Sequence, residues 1–167
     1  YRRQCQMCIR DRNMTALRAW SLLADLTGYA VWHPIYQFID PVQEGGKTTL
    51  SWRIFDDRRI RIDAEVVRFD KPSIITWRCG LGRLMSLQET YELREIDRQV
   101  DIRHRVECSG AVGHWAGTLL RLDLYHRMKE QDAAFIAHAK RHRLDPSGHR
   151  QRRHAPLISR SGAMVDE

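Results

Sequence analysis

The chain's 167 residues fit one domain and are enough to bury a full hydrophobic core. Apolar residues at 43% and charged residues at 29%, with ten Gly and five Pro, exclude a collagen-like or wholly disordered chain. The formal charge of +7 suits an acidic partner, yet +3 of it sits on residues 1–12 and +1 on residues 145–167, so the body between carries no strong nucleic-acid footprint.

Residues 1–12, Tyr-Arg-Arg-Gln-Cys-Gln-Met-Cys-Ile-Arg-Asp-Arg, read as lacking both an apolar period and turn chemistry. The segment resembles a translated sequencing adaptor, so it is set aside as a non-native scar and the domain is expected at 13–144 without its first strand. On that reading Cys5-x-x-Cys8 is not half of a metal or redox site. Cys79 and Cys108 fall in apolar strand patterns and read as buried thiols. Without a disulfide framework, a reducing cytoplasm is the expected location. No run approaches 18 apolar residues, so no membrane span is expected.

In residues 17–26, Leu17, Trp20, Leu23 and Ala24 repeat at helical spacing, and Thr27-Gly28 supplies a stop. A turn at 29–34 follows, and Pro34 prevents one long helix through this region. An apolar run at 35–39 comes next. Five strands are then predicted at 48–55, 60–69, 73–79, 87–96 and 99–108. The last alternates cleanly: Val100, Ile102, His104, Val106 and Cys108 against Asp101, Arg103, Arg105 and Glu107. Such alternation, with short connections, describes an antiparallel meander covered on one face. After Gly110 the period changes. Gly117, Leu120, Leu124, Met128 and Phe135 mark one stripe of a long helix over 113–144. Residues 145–167 read as a disordered basic tail.

This order gives an α+β fold: a curled antiparallel sheet with a long C-terminal helix across its concave face. A straight helix and a curled sheet meet imperfectly, and an apolar internal cavity is expected between them.

The stretch Arg18-Ala-Trp-Ser-Leu-Leu-Ala-Asp-Leu-Thr-Gly-Tyr-Ala-Val-Trp-His-Pro34 resembles the opening of the START-like, or SRPBCC, superfamily, which includes polyketide cyclase/dehydrase and lipid-transport proteins. The resemblance continues through Ile75-Thr-Trp-Arg78, Glu89-Thr-Tyr-Glu-Leu93 and His104-Arg-Val-Glu-Cys-Ser-Gly110. It implies the helix-grip fold and a small hydrophobic ligand, lipid or polyketide-like, held in the sheet–helix cavity. Many relatives carry an acidic residue where this chain has Val106.

Trp52, Ile62, Trp77, Tyr91, Leu120, Leu124 and Met128 are the inward-facing candidates for lining such a pocket. Trp32, with Pro34, is expected to close one end of it. Glu89 and His104 fall on the apolar sides of their strands, where a carboxylate and an imidazole shift each other's pKa and can act as acid and base. The main expectation is ligand binding or transport, leaning away from an enzyme. The alternatives are a polyketide cyclase/dehydratase-type enzyme using Glu89 and His104, and an interaction module resembling chaperone activators of this fold. His138 and His142 share a helix face, but with Lys140 and Arg141 alongside they read as solvated. No metal, cofactor or specific nucleic acid is expected, and the chain is taken as a monomer.

Overall fold

In a computed structural model, residues 3–11, 13–55, 58–97, 99–111 and 117–144 are described. The expected tail at 145–167 and the first residues expected of the last helix, 113–116, lie outside them.

Seven antiparallel strands form one sheet. In chain order they are β1 (Arg3–Asp11), β2 (Tyr36–Phe38), β3 (Lys47–Phe55), β4 (Arg58–Asp70), β5 (Ile74–Leu81), β6 (Met85–Ile96) and β7 (Gln99–Ser109). Their lateral order is β1-β7-β6-β5-β4-β3-β2. The meander from β3 to β7 follows the predicted alternation, because a period of two gives each strand one face to bury. Along β7, Val100, Ile102, His104, Val106 and Cys108 are buried while the residues between them are only partly so. Two glycines let strands meet closely. A Cβ on Gly80 would collide with the Met85 carbonyl, and Gly110, at φ 103°, would meet the Leu84 carbonyl at 2.6 Å.

Residues 3–11, expected outside the domain, form an edge strand of this sheet. Residues 3–11 pair along the whole of β7, from Arg3 opposite Cys108 to Asp11 opposite Val100. Ladder hydrogen bonds use backbone groups, so the free edge of β7 accepts a strand of almost any sequence. The segment also has a period after all: Cys5, Met7 and Ile9 turn toward the core, while Gln4, Gln6, Cys8 and Arg10 are exposed.

Helix α1 (Ala16–Ala24) is capped by Thr15, whose hydroxyl accepts from the Arg18 amide at 3.3 Å. It packs on β5, β6 and β7. The segment expected as a turn contains one helical turn, α2 (Tyr29–Trp32), which ends before Pro34. The long helix α3 (Gly117–Leu144) spans about 42 Å at 1.5 Å per residue. Its third turn is tied to β3: Arg127 donates to the Arg53 carbonyl (3.0 Å) and the Ile54 carbonyl (2.9 Å). Its middle reaches β7 through Asp132, and further toward its C-terminal end Phe135 and His138 meet Trp32. Thus the helix lies across the sheet's concave face. No described helix is long and apolar enough to cross a membrane.

Candidate functional site

The strand register builds the site. One row across the sheet runs Val66, Trp77, Glu89, Val106, Cys5, and the next runs Ile75, Tyr91, His104, Met7. Glu89 and His104 are therefore diagonal neighbours on adjacent strands, close enough for their side chains to meet. They do: His104 Nε2 lies 3.2 Å from Glu89 Oε1. The other ring nitrogen, Nδ1, is 2.8 Å from Asp132 Oδ1 on α3. Tyr91 donates its hydroxyl to Glu89 Oε1 at 3.0 Å and stacks on the imidazole, with centroids 4.3 Å apart. One imidazole thus bridges sheet and helix between two carboxylates. Exposure is 0% for His104, 1% for Glu89 and 5% for Asp132.

Burial alone would lower the His104 pKa, but the Asp132 and Glu89 carboxylates outweigh it and hold the imidazole at about 9. The ring is therefore protonated at neutral pH and can donate from both nitrogens. Burial, reinforced by the Glu89 charge, pushes the Tyr91 and Tyr36 phenols well above their usual range.

An aromatic group continues from this cluster. His33 stacks between Tyr29 and Tyr36, each 4.9 Å away, and Tyr36 meets Trp77 edge-on at 4.9 Å. His33 Nδ1 accepts from the amides of Ile35 (3.3 Å) and Tyr36 (2.9 Å), which places the ring proton on Nε2. Burial drives the His33 pKa well down, so this ring stays neutral.

Every described side chain in the predicted pocket set is buried: Trp32, Trp52, Ile62, Trp77, Glu89, Tyr91, His104, Leu124 and Met128. The Leu120 side chain lies outside the described residues. Where the sequence leads one to expect a hollow, these side chains themselves meet. Trp77, Glu89, Tyr91, His104 and Met128 are each at most 1% exposed, so none borders a water-sized gap. Large aromatics drawn from α2, β2 and β5 fill the curl. Among the described residues, two clefts lie away from this interior. One, about 360 Å³, runs between β3 and α3 beside Arg53, Asp123, Arg127 and Glu130. The other, about 380 Å³, lies over β3 to β6 beside Asp63, Glu65 and Arg78.

Three parts of the site escaped the sequence reading. Asp132 falls four residues after Met128, on the helix's inward stripe, so an acid in an apolar phase was its available signal. Gln131 beside it is 2% exposed. His138, read as solvated, is instead buried at 9% exposure against Trp32, 5.5 Å between centroids, because the α2 turn folds over that face of α3. Burial lowers the His138 pKa to about 4. Cys79, as expected of a buried thiol, is pushed up to about 12. Among the described residues no three His, Cys, Asp or Glu side chains are placed to hold a metal.

The family described as "Polyketide cyclase / dehydrase and lipid transport" matches residues 10–139, which is most of the chain. The chain belongs to that family. Its members' shared fold supports a ligand-binding or cyclase role in general. Solved structures agree on the fold at low identity. A START superfamily protein from Mycobacterium smegmatis superposes with a TM-score of 0.70 at 8% identity, covering 83% of this chain and 97% of that one. The ZhuI aromatase/cyclase from Streptomyces sp. R1128 gives 0.66 at 13% identity, covering 89% and 99%. The di-domain ARO/CYC StfQ of the steffimycin biosynthetic pathway gives 0.68 at 9% identity, covering 85% of this chain and 52% of that one. No curated protein matches the sequence significantly. The fold is the helix-grip of the START-like superfamily, a curled seven-stranded sheet with a C-terminal helix.

Proposed function

We propose that the chain binds a small hydrophobic molecule, lipid- or polyketide-like, between the concave sheet face and α3, with Glu89, His104 and Asp132 meeting its polar end. The observation that supports this reading is the buried polar cluster. For stability alone, apolar side chains serve as well or better at such positions, because a buried ion pair often fails to recover its desolvation cost. Here the cost is incompletely offset within the chain: Glu89 Oε2, Asp132 Oδ2 and Gln131 Oε1 are buried without a hydrogen-bond partner. A guest's polar atoms would supply those bonds, and its apolar part would contribute roughly 25 cal/mol per Å² buried.

Because the described side chains around His104 fill the seam there, a guest reaching this cluster requires α3 to part from the sheet. The ties to break near its third turn are Arg127 on the β3 carbonyls and the Arg53–Glu130 pair at 2.7 Å. The latter is partly exposed and worth little. Native mass spectrometry of gently purified protein, followed by titration with dodecyl amphiphiles against tryptophan emission, tests the reading. One bound small molecule per chain, or saturable quenching of the buried indoles, supports it. A bare mass with no quenching refutes it, and turns attention to the interaction-module alternative that a permanently filled interior suits.

A second reading, a cyclase/dehydratase-type enzyme, draws on the Asp132–His104–Glu89 alignment through both ring nitrogens. With its pKa near 9, His104 would serve as general acid, and Glu89 as the base. Turnover abolished in His104→Gln while ligand affinity survives would favour it. Parallel loss of both would leave binding alone.

A further inference from the structure

The guest's chemistry is narrowed by which atoms lack partners. Glu89 Oε2, Asp132 Oδ2 and Gln131 Oε1 are all acceptors, on residues no more than 5% exposed. They flank the sheet–helix seam from both sides, Glu89 on β6 and Gln131 and Asp132 on α3. The donors Trp52 Nε1, Trp77 Nε1, His33 Nε2 and His104 Nε2 also lack a hydrogen-bond partner, although His104 Nε2 is held in its 3.2 Å ion pair with Glu89 Oε1. However, an unmet bond on a carboxylate costs more than one on a neutral N–H. Among the described residues, Glu89 and Asp132 flank the His104 imidazolium, His33 is neutral, and the Arg59 and Arg127 charges act further along the seam, on His33 and Tyr36. Tyr91 and Tyr36 add no charge, since both phenols stay protonated. An anionic head entering beside His104 meets the two carboxylates that already flank that ring, whereas a donating head meets three open acceptors.

We infer that the guest's buried end is a hydrogen-bond donor, a primary ammonium or a hydroxyl, and not a carboxylate or phosphate. This rests on the proposed binding at the sheet–α3 seam and specifies its ligand class. The exterior argues in the opposite direction: at +7 overall, adventitious surface binding would favour an anionic amphiphile. A preference for the cation therefore originates inside.

The test uses three probes with one tail, dodecylamine, dodecanol and dodecanoate, each titrated below its micelle threshold at pH 7 into the full chain. The amine and the alcohol should bind at least about tenfold more tightly than dodecanoate, the effect of one hydrogen bond to a charged group. In Glu89→Gln and Asp132→Asn the gap between amine and carboxylate should shrink by about the same factor. Dodecanoate binding as tightly as the amine, or more so, overturns the inference while leaving the binding reading standing. If none of the three binds, the binding reading fails and this inference fails with it. The wild-type comparison stands by itself should either variant not fold.

Discussion

His104 makes the stability of this fold depend on pH in a defined window. An imidazole at about 9 in the folded chain has an ordinary value near 6.5 once unfolded. The stabilisation from its two carboxylate partners is fully present below about pH 6.5 and is lost as pH rises through about 9. With about 1.4 kcal/mol for each pH unit separating the folded from the unfolded value, the loss is about 3 kcal/mol. For a domain of this size that is roughly 10 °C in Tm. His33 and His138 work the other way, since burial lowers both and the unfolded chain takes up their protons first. Their contribution is present above about 6.5 and fades as pH falls. Together the three histidines place a stability maximum near pH 6.5. Cys79 and the buried tyrosines extend the alkaline loss, but only above about pH 9, where their unfolded forms ionise. Urea denaturation at half-unit steps from pH 5.5 to 9.5 reads this directly. Asp132→Asn, which removes the largest upward influence on His104, should flatten the slope between 6.5 and 9. A wild-type profile level across that window would refute the reasoning.

Other perturbations separate packing from charge. Asp132→Ala leaves a cationic imidazole facing a void and should cost about 3–5 kcal/mol in chemical denaturation, with Asp132→Asn costing clearly less. Trp77→Ala, at a side chain with 0% exposure between Tyr36 and Phe38, should cost about 3–5 kcal/mol by the same assay. Arg127→Ala frees two β3 carbonyls and should speed amphiphile association in stopped-flow fluorescence, with a stability loss of about 1–2 kcal/mol. Deleting residues 1–12 uncovers the β7 edge, and the shortened chain should lose stability and self-associate in sedimentation velocity. An unchanged monomer with unchanged Tm would show that β1 contributes nothing.

Much of the fold was legible because the strands repeat every two residues and the last helix every three to four. Val100 to Cys108 and Leu124 to Phe135 place themselves by that rule alone. The pairing of Glu89 with His104 was also legible, since both interrupt apolar phases on adjacent strands. Asp132 was not, because a stripe read only for apolar residues passes over the acid within it. The strand at β1 was not legible for a different reason: its Cys5, Met7, Ile9 phase is short and weakly apolar. How tightly Trp77, Tyr36 and Phe38 fill the curl depends on sheet curvature and rotamers, neither of which a hydropathy pattern encodes.

The most direct test of guest binding at the seam is a set of intermolecular nuclear Overhauser effects from a saturating dodecyl amphiphile to methyl-labelled protein. Contacts from the tail to the methyls of Met128, Ile102 and Ile75, all buried in the core, are the predicted result. Contacts confined to the exposed Leu81, Leu84 and Leu122 would place the amphiphile on the surface and contradict the account.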